Sequence, residues 1–249
     1  MKSLPVWERP EPPARPIPTP LSRELIVHAA VELADRDGLG AVSLRKVGAA
    51  LDAGPMRLYG YVASKEELLD LMVDAAYAEV VAEDAPAGAD WRESVRVLAH
   101  GLRRTAHRHE WFVDLLGSRP HLIGPRALAF LDRVLAALDG APGLDDMAAL
   151  LAAARTVDAY LVGAIRREIA EARAERATGM TLEEWQRSTV EYLRRVTADG
   201  RLPMLRRMIT EESPEPDPTA AFDLGLDCVL DGIAARLPTT PVLRWALDT

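Results

Sequence analysis

The stretch Ser43-Leu44-Arg45-Lys46-Val47-Gly48-Ala49-Ala50-Leu51-Asp52-Ala53-Gly54-Pro55-Met56-Arg57-Leu58-Tyr59-Gly60-Tyr61-Val62-Ala63-Ser64-Lys65 decides the fold. Ser43 suits the N-cap of a short helix, because its hydroxyl can accept from an orphan backbone amide. Leu44, Val47 and Leu51 follow at helical spacing and make one apolar face. Asp52-Ala53-Gly54 interrupts with residues that tolerate turn conformations. Pro55 suits the first turn of a second helix, where its missing amide hydrogen would have had no partner. Leu58 and Val62 are expected to point inward, and Met56, Arg57, Tyr59 and Tyr61 outward. Ser64 with Glu67 three residues on is a capping box that opens a third helix. Two short helices around a tight turn make a helix-turn-helix, whose second helix enters the DNA major groove.

The segment resembles the DNA-binding domain of TetR-type transcriptional repressors. The family's Leu-Tyr-x-[His/Tyr]-[Phe/Val]-x-x-Lys pattern stands here as Leu58-Tyr59-Gly60-Tyr61-Val62-Ala63-Ser64-Lys65. The preceding helix matches through Leu25, Ala30, Leu33 and Gly38, and Glu67-Leu68-Leu69 continues the likeness. Two positions depart from it. Asp52 replaces the usual turn glycine and should still fit, and Arg57 replaces a threonine of the recognition helix, which should change the DNA sequence read.

Two further stretches carry a weaker likeness to the ligand-binding and dimerisation domain of the tetracycline-repressor subgroup. They are Leu116-Gly117-Ser118-Arg119-Pro120 and Phe222-Asp223-Leu224-Gly225-Leu226-Asp227-Cys228-Val229-Leu230-Asp231-Gly232.

Composition agrees with a helical protein that meets DNA at one end. The 249 residues suffice for one large or two smaller domains, and alanine, leucine and arginine, all good helix formers, are plentiful. Residues 1–65 carry nine basic and seven acidic side chains, against 21 and 31 in the remainder. A basic end on an acidic body fits DNA binding by that end alone. Cys228 is the single cysteine, so no internal disulfide can form, and its apolar surroundings predict a buried thiol. The N-terminus is proline-rich rather than apolar and does not read as a secretory signal. Arg155 and Asp158 break the most apolar long region, Met147 to Ile165, which argues against a membrane span. A cytoplasmic protein is expected.

The expected architecture is all-α in three parts. Residues 1–20 form an arm with seven prolines, extended or disordered in the free protein. Two readings stay open for this arm: a solvated tail, or a strand in the minor groove beside the helix-turn-helix, carried by Lys2, Arg9 and Arg15 but opposed by Glu8 and Glu11. Residues 21–66 form the DNA-binding domain, with Ser22 capping a helix to about Asp37. Residues 67–249 form the ligand-binding and dimerisation domain. Helices are predicted from Lys65 to Glu83, Trp91 to His109, Trp111 to Leu116, Gly124 to Leu138, Leu144 to Ala177, Thr181 to Val196 and Phe222 to Leu237, with Glu211 to Pro218 as a loop.

The resemblance assigns roles residue by residue. Arg45 matches the family's base-reading arginine, and arginine can bond guanine O6 and N7 together. Lys46 stands beside it. Arg57 either reads a base or binds phosphate, and Pro55 and Met56 can meet thymine methyls. Tyr59, Tyr61 and Lys65 match phosphate-holding positions, which set register without reading bases. In the body, the family's metal-chelating histidine is Leu115, and Val81, Leu98 and Leu102 align with other pocket positions. Ser118 and Arg119 keep the polar character of the match, and Trp111, Phe112, Phe130, Tyr160 and Trp185 are candidate stacking surfaces.

A pocket lined by aliphatics cannot hold Mg²⁺, which needs oxygen ligands. A largely apolar or aromatic small molecule is therefore expected, with no metal and no cofactor. His100, His107, His109 and His121 read as surface or capping groups. No catalytic signature occurs, and no enzyme activity is expected. The whole reads as a homodimeric, ligand-responsive regulator, most simply a repressor released from a palindromic operator on double-stranded DNA. The alternatives are a constitutive regulator without inducer, or an all-α binder or enzyme that retains the helix-turn-helix.

Overall fold

In the computed structural model, residues 5–13, 20–82, 84–116, 124–211 and 217–235 are described. Every regular element among them is helical. Helix α1 (Arg23–Asp37) starts at Ser22, whose hydroxyl accepts from the Leu25 amide at 3.2 Å. A single 3-10 turn over Leu39–Ala41, absent from the sequence reading, leads into α2 (Leu44–Ala50). Ser43 caps α2 by accepting from Lys46 N at 3.2 Å.

The turn into α3 (Pro55–Leu58) depends on two residues. Asp52 adopts φ +48°, the left-handed region that usually favours glycine, and is the only non-glycine to do so among the described residues. Gly48 leaves room for the turn to close on α2: a Cβ there would stand 2.6 Å from the Ala53 carbonyl oxygen. Pro55 occupies the first turn of α3, as its chemistry suggests. Ile26, Ala30, Val47, Leu58 and Val62 close the small core beneath these helices.

Residues 5–13 are not the free strand expected from their prolines. Val6 is buried, Glu11 accepts from the Arg23 amide at 3.1 Å, and Arg9 pairs with Glu67. The arm's first half is thus held against the DNA-binding domain, and the Arg9 guanidinium is already engaged. Lys2 and Arg15 lie outside the described residues.

Helix α4 (Lys65–Val80) belongs to both halves of the molecule. Ser64 caps it by accepting from Glu67 N, while the Glu67 carboxylate reaches past the cap to the Ala63 amide at 2.8 Å. The helix stops at Val80, short of the expected Glu83, which is itself outside the described residues. The body continues with α5 (Trp91–Arg108), α6 (Glu110–Leu115), α7 (Pro125–Leu138), α8 (Met147–Thr178), α9 (Leu182–Val196), α10 (Pro203–Thr210) and α11 (Pro218–Ala234). The sequence reading missed α10 and began α11 four residues late. Helix α9 opens with the expected Thr181–Glu184 capping box.

By length and apolar composition α8 could cross a membrane. Here it is a core helix: Leu150, Val157, Leu161, Ile165 and Ile169 are buried, and it packs on α5, α6, α7 and α11.

The start of α7 is held from a distance. Gly124 offers no side-chain cap; instead Asp74, buried on α4, accepts from the amides of Arg126 at 2.8 Å and Ala127 at 3.2 Å. A Cβ on Gly124 would collide with that carboxylate. Three arginines of α8 then hold α6. Arg166 donates to the carbonyls of Val113 and Leu116, Arg173 pairs with Glu110 and Asp114, and Arg176 pairs with Glu110.

Candidate DNA-binding edge and ligand cavity

The helix-turn-helix presents Arg45 and Lys46 from the first turn of α2, and Pro55, Met56 and Arg57 from α3, all exposed. Met56 is 79% exposed and Tyr59 50%. Tyr61 departs from the expected outward orientation. It is buried at the foot of α1, where its carbonyl accepts from Arg23 Nε at 3.1 Å.

The charges on this edge differ from many of those in the body. Arg92, Arg96, Arg103, Arg173 and Arg176 each pair with a carboxylate of another helix. Among the described residues, Arg45, Lys46, Arg57 and Lys65 have no ion-pair partner. Exposed, uncompensated cations on a helix-turn-helix are what a polyanion requires.

The body holds a partly open cavity of about 370 Å³ between α4, α6, α7 and α8. Val73 and Tyr77 of α4, Leu115 and Leu116, Phe130 and Val134 of α7, and Val157 and Leu161 of α8 form its apolar wall. Of the expected pocket residues, the cavity gathers Leu115 and Phe130. Ser118 and Arg119 lie outside the described residues, as does His121.

The others have different work. Val81 ends α4, and its carbonyl accepts from Arg133 at 2.7 Å. Leu102 is core. Leu98 lines a separate, more open hollow beside Arg133. Tyr160 donates its hydroxyl to the Phe222 carbonyl at 2.6 Å and pins α8 to α11. Trp111 and Phe112 are buried behind the cavity rather than in it, and Trp185 is exposed on α9.

The cavity also holds three charged residues that sequence reasoning did not place there: Asp70 of α4, and Arg155 and Asp158 of α8. The last two were the charges that interrupted the apolar stretch. Their position one helical turn apart on a core helix was the available signal. Tyr77 and Asp158 respond to this setting. Burial, and then the nearby Asp158 carboxylate, push the Tyr77 phenol well above its ordinary range. Desolvation raises the Asp158 carboxyl, although part of its side chain still meets solvent.

Of the two readings for His109, surface or cap, it takes the cap, ending α5 and opening α6, and it is buried, with Nδ1 2.8 Å from Asp35 and Nε2 3.2 Å from Glu79. Trp111 Nε1 donates to the same Asp35 at 2.6 Å. The aromatic contacts continue from Trp111 to Phe112, then edge-on to Tyr77 at 5.2 Å, and to Phe130 at 5.3 Å. A continuous packed path therefore runs from the cavity wall to α1.

These two sites coincide with two known sequence families. Residues 26–72 match the bacterial regulatory proteins of the tetR family, and residues 85–237 match the tetracyclin repressor-like C-terminal domain. The chain belongs to the TetR family. Among TetR-family relatives, the HTH-type transcriptional repressor DrrR1 of Streptomyces coeruleorubidus is 38% identical over 231 residues, covering 92% of this chain and 83% of that protein. The class A tetracycline repressor protein from transposon 1721 of Escherichia coli is 28% identical, covering 88% and 93%. The TetR-family protein ActR of Streptomyces coelicolor, in its complex with actinorhodin, superposes with a TM-score of 0.72 at 26% identity, covering 87% of this chain and 97% of that one.

Proposed function

We propose that this protein is a homodimeric transcriptional repressor that leaves a palindromic operator when a small molecule fills the α4–α8 cavity. The observation that carries the DNA-binding part is the set of exposed cations Arg45, Lys46, Arg57 and Lys65 on the helix-turn-helix and the helix start beside it, none in an ion pair among the described residues. Arg45 reads a base, Arg57 reads a base or holds phosphate, and Tyr59 and Lys65 fix register. Tyr61 supports the domain from within. The relatives named as repressors and the ActR–actinorhodin complex are consistent with a regulator that answers to a ligand. Such a protein works where the DNA is, in the cytoplasm.

The dimer reading rests on an uncovered face. On α8, Ala152, Thr156, Ala159 and Gly163 are exposed along one side. On α11, Leu224 is 63% exposed and Cys228 is exposed, against the expectation of a buried thiol. Small residues on one helix and an apolar side chain on its neighbour suit a four-helix interface with a second copy. That second copy supplies the burial the sequence led one to expect for Cys228. Two helix-turn-helix units related by a two-fold axis read two half-sites about one helical turn apart.

The response requires a ligand that favours one arrangement of α4 over another. Helix α4 carries Val73 and Tyr77 in the cavity wall, Asp74 at the start of α7 and Glu79 at His109, so cavity occupancy and domain orientation bear on the same helix.

Footprinting of the purified protein on its own upstream DNA, with a salt titration, tests the reading. A protected palindrome with a steep salt slope supports it. Protection no greater than on unrelated DNA overturns it for that site.

A further inference from the structure

The ligand class can be narrowed from the cavity's charged rim, on the reading above that the cavity is the regulatory site. Most of the wall is aliphatic, with Tyr77 and Phe130 offering two tilted rings at 5.3 Å. Such a surface suits a flat, apolar body, and the volume of about 370 Å³ lies in the range of cavities that take drug-sized molecules. Among the described residues the rim carries Asp70, Asp158 and Arg155. Asp70 and Arg155 both have interactions of their own. Asp158 has neither an ion pair nor a hydrogen bond among the described residues.

A carboxylate beside an apolar cavity loses part of its hydration, a cost that only an opposing charge or donors offset. An anionic ligand would be repelled by the Asp158 carboxylate, and a neutral one would leave it as it is. We infer that the cavity takes an amphiphilic ligand with a flat apolar body and a protonated amine, and that the ammonium group pairs with Asp158 at the rim. The apolar body lies against Tyr77 and Phe130, and the Asp158 carboxylate selects for positive charge.

The test uses the full-length protein and three fluorescent probes that share one ring system: the aminomethyl, hydroxymethyl and carboxylate derivatives of anthracene. Binding is measured for the natural sequence and for Asp158→Asn, which keeps size and shape at a partly exposed position. The amine should bind at least about tenfold more tightly than the alcohol, and the carboxylate least tightly. Asp158→Asn should bring the amine to the level of the alcohol and leave the alcohol within about twofold.

Equal binding of all three probes, or an amine preference that survives Asp158→Asn, overturns the ammonium assignment and leaves the cavity as an apolar regulatory site. Tightest binding of the carboxylate also overturns the assignment. No binding of any probe overturns both the assignment and the regulatory reading of the cavity.

Discussion

Trp111 donates its indole N–H to Asp35 at 2.6 Å, and this bond ties α6 of the body to α1 of the DNA-binding domain. His109 completes the joint, facing Asp35 with one ring nitrogen and Glu79 of α4 with the other. The three helices that meet here are the one behind the helix-turn-helix, the one shared by both domains, and the one leading to the cavity. Trp111→Phe keeps the ring and removes the donor. It should cost about 1 kcal/mol of stability in urea denaturation. It should also shrink the factor by which the aminomethyl anthracene probe weakens binding to upstream DNA, read by fluorescence anisotropy. An unchanged factor would show that coupling bypasses this joint. Because coupling is reciprocal, DNA should weaken probe binding by the same factor in each variant.

Arg45→Glu should abolish specific protection of upstream DNA while sedimentation still reports the dimer. Arg45 is exposed on the first turn of α2 with no ion-pair partner among the described residues, so no intramolecular contact is lost with it. Lys65→Ala should act differently. A phosphate contact carries no sequence information, so affinity should fall by a similar factor on all DNA, and the log–log salt slope should drop by about one. Specific binding that survives Arg45→Glu would remove Arg45 from the reading edge.

Gly48→Ala places a Cβ 2.6 Å from the Ala53 carbonyl, a backbone atom that cannot rotate away. The turn between α2 and α3 must open, at a cost of about 1–3 kcal/mol. Asp52→Gly tests the other side of the same turn. The φ of +48° strains any residue with a Cβ, so glycine should raise stability or leave it unchanged, while Asp52→Ala should lower it by about 1 kcal/mol. Thermal melting of each variant, with upstream DNA binding measured below the transition, separates loss of the turn from loss of a contact.

Asp74→Ala removes an acceptor that serves two amides at the start of α7 and leaves them buried beside Gly124. The expected loss is about 1–3 kcal/mol, read in urea. Asp74→Asn, which keeps one acceptor oxygen, should recover part of it. Because Asp74 lies between Val73 and Tyr77 in sequence, the alanine variant should also weaken probe binding more than the same loss of stability elsewhere. If probe affinity is untouched, the cap is structural only.

How far the sequence disclosed this molecule depended on whether a signal was local. Ser22, Ser43, Ser64 and Thr181 announced their helices because capping is decided within three residues. The turn at Asp52 and Pro55 was legible for the same reason. Helix α10, short and uncapped by a side chain, gave no such sign. Tyr61 matched a surface position of its family pattern, but it is buried at the foot of α1, which is not local to it in sequence. The cavity was the least legible part. Leu115 and Phe130 line it, yet Trp111 and Tyr160 were diverted by single hydrogen bonds to Asp35 and to the Phe222 carbonyl. Asp158 stood in plain view as a break in an apolar run, and only the fold shows that the break opens onto a cavity.

Asp158 also gives the ligand interaction a pH dependence whose sign is fixed. Desolvation raises its carboxyl above the ordinary carboxylate range, so it takes up a proton at a higher pH than a solvated aspartate does. Protonation removes the charge that faces the ammonium group, and the amine remains protonated throughout the acidic and neutral range. Affinity for the aminomethyl probe should therefore be full at neutral pH and fall as the pH drops through that raised window, while the hydroxymethyl probe stays flat. Tyr77, whose phenol burial holds well above its ordinary range, keeps its proton in this window, and Arg155 and Asp70 are the other charged side chains of the rim among the described residues. Asp158→Asn tests the assignment: it should remove the fall in affinity, and a fall that remains counts against Asp158 as the partner of the ammonium group. A titration by probe fluorescence, with circular dichroism confirming the fold at each pH, decides whether the ammonium group meets Asp158 or another part of the rim.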